Sequence, residues 1–236
     1  MKKIIYNGLL LLTLATAFTA CEDETSQDDS RVTYYGTLEL KGDKTLLWDR
    51  GKTYEDPGYT ATLKGADATA QVKVNGSVDV NTPGIYTLTY TITNEDGFST
   101  TDTRNVLVAD PTDSPITSGF WFSTADSYRV SSTGTTTYGD NYTVTVLQLS
   151  PGEFYVSDFL GGWYDQRAGY GTDYAMVGKF KLNSDNTITL EESSIAGWGD
   201  GLVALHDGKY DPATGRISWD AEYVSSMHFH LTLTKD

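Results

Sequence analysis

A two-residue alternation of apolar and polar side chains, in short runs cut by turn residues, is the feature that most constrains this fold. The clearest run, residues 85–92 (IYTLTYTI), places Tyr86, Leu88, Tyr90 and Ile92 on one face and mostly threonines on the other. Such alternation in β-branched and aromatic residues is typical of a half-buried strand. No segment shows helical periodicity with capping residues, so the sequence predicts an all-β fold.

Residues 31–109 contain several runs of this kind, separated by turn sequences such as TPG at 82–84. Short strands at this spacing predict a β-sandwich. Three turns carry an aspartate, namely Asp56, Asp79 and Asp96. Because they do not form the Asp-x-Asp-x-Asp-Gly loop of a calcium site, we interpret them as turn residues.

Three motifs give this first domain a family resemblance. They are YEDPGYTA at 54–61, VDVNTPGIYTLTY at 78–90, and NEDGF at 94–98 followed by RNV at 104–106. In this order they make roughly residues 38–109 similar to a bacterial immunoglobulin-like domain. The resemblance implies a sandwich that acts as a spacer or adhesion module, and it implies no catalysis.

The chain begins with the layout of a secretory leader. Two lysines precede a mostly apolar stretch at 4–18, and a Thr-Ala pair leads into Cys21, the only cysteine of the chain. The small-small-Cys ending resembles the lipobox of bacterial lipoproteins. That resemblance implies removal of residues 1–20 and acylation of Cys21, which anchors the chain without a membrane-spanning helix. The alternative is an ordinary signal peptide with an incidental cysteine.

An acidic, polar tether is predicted at 21–30. Glu22, Asp23 and Glu24 resemble the acidic export signal of surface-exposed lipoproteins in Bacteroidetes, which implies an outer-membrane anchor that faces the cell exterior. The alternative is a solvated tether that faces the periplasm. Loss of the two leader lysines takes the formal charge from −15 to −17. Such an acidic chain does not fit nucleic acid, whose phosphates would repel it.

Residues 110–117 (DPTDSPIT) form the best domain boundary, and their two prolines make the linker fairly stiff. The aromatic excess belongs to residues 118–236, which hold 19 of the 29 aromatic residues. Seven strands are predicted there, at 142–149, 153–157, 175–182, 187–191, 202–210, 216–223 and 227–234. The short turns between them favour an antiparallel meander that closes into a barrel or folds into a sandwich.

A second resemblance concerns this C-terminal domain. GKYD at 208–211 with TGRISW at 214–219 resembles the hairpin of lipocalin-like lipoprotein domains of Bacteroidetes. The whole arrangement of lipobox, immunoglobulin-like domain and aromatic β domain resembles a lipoprotein family of that phylum. Members of such families often accompany outer-membrane glycan-uptake systems, and this context implies no particular site.

Candidate catalytic and metal chemistry is sparse. His228 and His230 share one face of the last predicted strand, and such a pair can hold a metal if a third ligand such as His206 or Asp207 joins it. No His or Cys cluster elsewhere supports that reading, so we interpret them as solvent-facing or network histidines and predict no metal site. Acid pairs lack a distinctive glycosidase motif, and no nucleophile elbow or phosphate loop occurs. We therefore predict neither an enzyme nor a cofactor.

Two glycine-rich loops that carry aromatic residues are the best candidate for a site, at 159–174 (FLGGWYDQRAGYGTDY) and 195–201 (IAGWGDG). Sugar sites pair an aromatic platform with planar polar groups that hydrogen-bond the hydroxyls. The candidate platforms are Trp163, Tyr164, Tyr170 and Trp198, and the candidate polar contacts are Asp165, Gln166, Arg167 and Asp200. Glycines on both sides of Trp198 favour an exposed ring. The alternative is that these aromatics plug the ends of a barrel or pack over its core.

The leading hypothesis is a non-catalytic surface lipoprotein. Cys21 anchors it, the immunoglobulin-like domain projects it, and the C-terminal domain binds a glycan as an accessory to polysaccharide uptake. The alternative is a protein-docking or structural subunit of an outer-membrane assembly, and an enzyme ranks third. The expected partners are a glycan and the proteins of an outer-membrane uptake system, with membrane contact through the lipid anchor only.

Overall fold

β-Strands form every long element of the computed structural model, which describes residues 32–224 and 226–235. The first domain has two sheets. One contains β1 (Thr37–Leu40), β3 (Tyr59–Leu63) and β4 (Ala66–Asp67), and the other contains, in spatial order, β2 (Thr45–Asp49), β7 (Ser99–Ala109), β6 (Gly84–Thr93) and β5 (Lys73–Asn75). Strands β2 and β7 run parallel, whereas the other pairs are antiparallel. The all-β prediction is confirmed.

The core of the first domain lies on the face of β6 that the alternation predicted. Leu88, Tyr90 and Ile92 are buried, and they pack with Leu40 and Ala61 from the facing sheet. Burial of these side chains supplies the apolar contact that holds the two sheets together.

A charged network crosses this core. The guanidinium of Arg104 is fully buried and donates to Asp56 Oδ1 at 2.7 Å and to the carbonyl oxygen of Lys41. The hydroxyl of Tyr90 donates to the other oxygen of Asp56, and Gly58 N donates to Oδ1. Burial alone would raise the pKa of Asp56, but the hydrogen bonds from Tyr90, Gly58 and Arg104 lower it below its usual value. Asp56 is therefore both the predicted turn residue and the counter-ion of a buried arginine.

The second domain contains ten strands. They are β8 (Gly119–Ser123), β9 (Tyr128–Ser131), β10 (Gly134–Thr137), β11 (Tyr142–Ser150), β12 (Glu153–Val156), β13 (Met176–Leu182), β14 (Ile188–Ile195), β15 (Ala204–Asp211), β16 (Arg216–Tyr223) and β17 (Met227–Thr234). Neighbours pair antiparallel in the order β8, β11, β12, β13 and β14, and β15 leads through β16 and β17 back to β8. The β9–β10 hairpin extends the sheet from β17.

The sheet is therefore a barrel-like meander with one lightly bonded seam, between β14 and β15. An isolated bridge between Thr187 and Lys209 and a hydrogen bond from Tyr210 N to Asn186 O at 2.9 Å cross that seam. Of the two predicted architectures, the structure favours the barrel over the sandwich, because the last strand pairs with the first.

Aromatic side chains fill the inside of the barrel. Trp121, Phe154, Phe180, Trp219 and Phe229 are all buried, and the rings of Phe154 and Phe180 stack with centroids 5.2 Å apart. A packed interior of this kind holds the sheet together and leaves the loops and the outer faces as the places where a ligand can bind.

The two domains are joined by specific contacts. Asp110 N donates to the carbonyl oxygen of Gln148 at 2.9 Å, and the Gln148 side chain donates to the carbonyl oxygen of Thr112 at 3.0 Å. Leu107 and Leu147 belong to one buried apolar cluster that spans the joint. The first residues of the linker predicted at 110–117 are thus hydrogen-bonded to β11.

The joint and the two candidate loops lie at opposite ends of the barrel. The linker contacts Gln148 near the end of β11, whereas the loop after β12 contacts Thr143 near its beginning. Five residues of extended strand separate these contacts by about 17 Å. The predicted signal peptide at 1–20, the lipidation site Cys21 and the tether at 21–30 lie outside the described residues. In the part of the chain that is described, no helix is long and apolar enough to cross a membrane.

Candidate ligand-binding site

A buried aspartate fixes the first candidate loop. Asp158 accepts hydrogen bonds from Leu160 N at 2.8 Å, Gly162 N at 2.7 Å and Met176 N at 3.0 Å, which ties both ends of the loop together. Gly162 has a φ of 86°, and a Cβ there would lie 2.4 Å from the Cβ of Tyr142, so only glycine fits. Burial, with a smaller effect of the Asp165 charge, raises the pKa of Asp158 to about 7.

Trp163 is buried rather than exposed. It lies in a short π-helical turn (Trp163–Arg167) and is only 4% exposed. The guanidinium carbons of Arg129 and Arg167 lie 4.6 Å and 4.2 Å from the centre of its ring. The interpretation of Trp163 as a sugar platform is therefore wrong, because cations and core residues surround the ring; it plugs the barrel end, as the alternative reading held.

Two predicted polar contacts bond the loop to the barrel instead of facing a ligand. Gln166 accepts from Thr143 N at 3.0 Å and donates to Thr143 O at 2.8 Å, as a neighbouring strand would. Arg167 donates through Nε to the carbonyl oxygen of Tyr138 at 3.1 Å. Because their polar groups are already bonded to backbone, Gln166 and Arg167 position the loop. Asp165 is only partly exposed, and its Oδ1 is buried without a hydrogen-bond partner.

Tyr170, Tyr174 and Trp198 line an open recess of about 320 Å³, here called the aromatic recess. Tyr170 is 57% exposed and Trp198 is 44% exposed, and the Tyr174 ring lies against both, with centroids 5.5 Å and 5.0 Å away. Gly197 makes this approach possible, since a Cβ there would lie 2.6 Å from the Tyr174 ring. The two candidate loops thus meet at one surface.

Two further rings support the aromatic recess from behind. Tyr164 lies parallel to Tyr170 at a centroid distance of 6.1 Å, and Tyr223 lies parallel to Trp198 at 6.1 Å. The hydroxyl of Tyr223 donates to Asp200 Oδ1 at 2.9 Å. Burial and this hydrogen bond raise the pKa of Tyr223, so the hydroxyl stays protonated.

Of the eight residues predicted for this site, the structure brings Tyr164, Tyr170, Trp198 and Asp200 together. Tyr174 and Tyr223 belong to the same cluster and were not predicted as site residues. Tyr174 closes the same glycine-rich loop, so its position offered a signal. Tyr223 is the last residue of a strand far along the chain, and only the pairing of β16 with β17 places it there.

The three histidines of the chain form a patch on the outer face of β15, β16 and β17. His206 Nε2 lies 2.9 Å from Glu222 Oε2, and His228 Nδ1 lies 3.2 Å from both carboxylate oxygens of Asp220. His230 Nδ1 lies 3.8 Å from the same carboxylate. These contacts make them network histidines, and within 32–224 and 226–235 no group of three or more His, Cys, Asp or Glu is placed to hold a metal.

We expect His206 to titrate above the usual histidine range, because the hydrogen bond and charge of Glu222 raise its pKa. A raised pKa means that the pair stabilises the fold below the unfolded-state pKa and that this contribution disappears as the pH rises through the folded-state pKa. NMR titration of the imidazole signals measures it, and Glu222→Gln should lower the midpoint. Glu191→Gln, a change at an exposed acid on β14, should leave it in place. An unchanged midpoint in Glu222→Gln would contradict the assignment.

Two family models match separate parts of the chain. Residues 38–108 match a family model described as a bacterial surface protein, Ig-like domain, and residues 110–235 match a family model of a C-terminal domain. Among solved structures, the lipoprotein BT2262 from Bacteroides thetaiotaomicron is 48% identical with a TM-score of 0.79, over 85% of this chain and 100% of that chain. No curated protein matches the sequence.

Two structures of Clostridium perfringens ZmpB also match. One is the M60 catalytic domain with CBM51-1 and CBM51-2, at 14% identity and a TM-score of 0.29 over 53% of this chain and 15% of that chain. The other contains CBM51-2 in complex with GlcNAc and INT domains, at 13% identity and a TM-score of 0.27 over 84% of this chain and 43% of that chain. At these scores neither match bears on the function of the present chain.

Proposed function

The chain belongs to the family of the Bacteroides lipoprotein BT2262. From this membership we propose that it is a lipid-anchored surface protein, and from the aromatic recess we propose that its C-terminal domain binds a glycan. Cys21 carries the acyl chains, and the acidic residues after it direct the protein to the outer face of the outer membrane. The immunoglobulin-like domain holds the barrel away from the membrane. The protein then acts as a binding accessory to polysaccharide uptake.

The aromatic recess is the observation that carries the glycan proposal. Sugar rings present apolar C–H faces that pack on aromatic rings, and Tyr170 and Trp198 offer exposed rings at one open surface. Asp200 lies at the same surface and can accept hydrogen bonds from hydroxyl groups. The open shape suits a polymer, because a chain can cross the recess and continue on both sides.

The position of the recess supports the same function. The recess lies at the end of the barrel opposite the linker. The linker follows the end of β7, and the first described residues lie near the other end of β7. Asn94, which precedes β7, bonds to the carbonyl oxygen of Tyr34, so the chain enters the first domain at the opposite end from Ala109. A tether attached there displays the recess outward.

Trp198→Ala and Tyr170→Ala are each expected to weaken polysaccharide binding by about tenfold or more, because each removes an exposed ring from the centre of the site. Isothermal titration of the full lipoprotein against a panel of polysaccharides measures this. The detergent should be of the polyoxyethylene type, whose headgroup contains neither a sugar nor an ammonium ion.

Phe98→Ala is the matched control, since Phe98 is a ring in the first domain that is 48% exposed. It should bind like the parent. The glycan proposal fails if no polysaccharide of the panel binds, or if Trp198→Ala and Tyr170→Ala retain the affinity of the parent.

Cys21→Ala is expected to release the protein from the membrane fraction, because the acyl chains are the proposed anchor. Fractionation of cells, with incorporation of a labelled fatty acid, measures the effect. Ser26→Ala in the same tether should leave the protein acylated and membrane-bound. Continued membrane attachment of Cys21→Ala would contradict the anchor.

A further inference from the structure

We propose that the group held in the aromatic recess is a substituted ammonium ion, the chemistry of choline. The inference names the ligand group of the site described above, and it therefore rests on the recess being a ligand site. It is carried by the relative orientation of the rings and by the charge around them.

The three lining rings point in three different directions. The planes of Tyr170 and Trp198 are 89° apart, and Tyr174 meets them at 75° and 69°. A sugar ring packs flat on one of these faces, as the proposed function requires. Tyr174 makes edge-to-face contacts with Tyr170 and Trp198 at 5.5 Å and 5.0 Å, so Tyr170 and Trp198 supply the two exposed, nearly perpendicular rings, and such a pair fits a compact, rounded group.

The spacing of the rings fits an ion of that size. The centroids of Tyr170 and Trp198 are 6.5 Å apart. A cation centred about 4.5 Å above each of two perpendicular ring faces would place their centroids about 6.4 Å apart, within the range of cation–π attraction. The recess volume of about 320 Å³ accommodates three or four methyl groups around such a centre.

The rings are held in this arrangement before any ligand arrives. Tyr164 is inclined by only 19° to Tyr170, and Tyr223 by 23° to Trp198, so each of these two walls has a second ring parallel to it. Tyr164 also meets Trp198 at 90°, with centroids 4.7 Å apart. Rings fixed by neighbours lose little conformational entropy on binding.

The electrostatics favour a cation over a neutral group of the same shape. Aromatic faces carry negative potential, and the exposed Asp200 carboxylate, two residues after Trp198, accepts a hydrogen bond from the Tyr223 hydroxyl. The guanidinium of Arg129 lies over the buried Trp163 ring, 4.6 Å from its centre. The overall charge of −15 attracts cations as well.

The test compares choline with neohexanol, its uncharged carbon isostere, on the full lipoprotein in a polyoxyethylene detergent. Tryptophan fluorescence reports binding, because Trp198 alone among the five tryptophans is exposed. Choline is expected to bind at least about tenfold tighter than neohexanol. Trp198→Leu and Asp200→Asn should weaken choline binding, whereas Phe98→Ala should not. Choline binding to Trp198→Leu is measured by titration calorimetry, because that variant lacks the reporting tryptophan.

The outcomes separate this inference from the glycan proposal. Equal binding of choline and neohexanol, or no choline binding, overturns the ammonium inference, and polysaccharide binding that depends on Trp198 would still support the glycan proposal. Choline binding without any polysaccharide binding supports the inference and overturns the glycan proposal. Polysaccharide that bears phosphocholine and vesicles of phosphatidylcholine then distinguish a decorated glycan from a lipid headgroup, and either source supports the ammonium assignment.

Discussion

Asp158→Ala is expected to lower the free energy of unfolding of the second domain by about 3 kcal/mol. The change leaves the backbone N–H groups of Leu160, Gly162 and Met176 buried without an acceptor. Each such donor costs about 1–3 kcal/mol, and relief from burying a carboxyl group offsets part of the sum. Urea unfolding followed by tryptophan fluorescence measures the loss, since four of the five tryptophans lie in this domain.

Asp140→Ala provides the control, because Asp140 is an exposed aspartate in the same domain. It should change the free energy of unfolding by less than about 0.5 kcal/mol. A loss in Asp158→Ala no larger than this would show that water or a rearranged loop replaces the carboxyl group.

The same carboxyl group should give the second domain an unusual dependence on pH. Its pKa is raised to about 7 in the folded state, against a usual value of 3.8. Between these values the folded state binds a proton that the unfolded state has lost, so stability falls as the pH rises from about 4 to about 7. Unfolding curves across this range should show the fall in the parent and a flatter profile in Asp158→Asn. A parent whose stability rises over the whole range would contradict the raised pKa.

We expect Arg104→Met, the second change with a large effect, to lower the free energy of unfolding of the first domain by about 3–5 kcal/mol. It removes the cation that compensates the Asp56 carboxylate and leaves the carbonyl oxygen of Lys41 without its donor. Arg104 is fully buried whereas the Asp56 side chain is 28% exposed, so the loss combines a hydrogen bond between charged groups, about 1.5–3 kcal/mol, with an unsatisfied carbonyl oxygen, about 1–3 kcal/mol. Hydrogen exchange resolved by strand measures it, with the amides of β6 and β7 reporting on the first domain.

Two further variants test whether the pairing itself is responsible. Lys44→Met removes an exposed partner of Asp102 and should cost less than about 1 kcal/mol. Asp56→Asn combined with Arg104→Met should recover part of the loss, because no uncompensated charge remains. If the double variant loses as much free energy of unfolding as the two single variants together, the effect comes from packing and not from the ion pair.

The regular strands were predictable because their side chains alternate and their turns carry glycine, proline and aspartate. The bounds of β16 and β17 match the prediction, and β6 buries the predicted face. β10 could not be found in this way: all four of its residues (GTTT) are exposed, so no apolar face marks it, and only pairing with β9 makes it a strand.

The candidate site was predictable in its chain segments and not in the roles of its residues. Trp163 and Trp198 both follow a glycine in a loop, yet one is buried and the other exposed. The difference comes from distant residues, since Arg129 and Phe229 enclose Trp163 from other strands. Gln166 likewise had the chemistry of a sugar contact, but the free edge of β11 provided a partner that a local sequence pattern cannot show.

The parallel pairing of β2 with β7 has a mechanical consequence for a protein held at its N-terminal side. Five pairs, from Thr45 with Asn105 to Asp49 with Ala109, join the two strands. A pull between Thr45 and Ala109 would draw β2 toward its beginning and β7 toward its end. The ladder is then loaded in shear, so its hydrogen bonds must yield together and not one after another. The parallel pairing of β2 with β7 therefore gives the first domain resistance to extension in this direction.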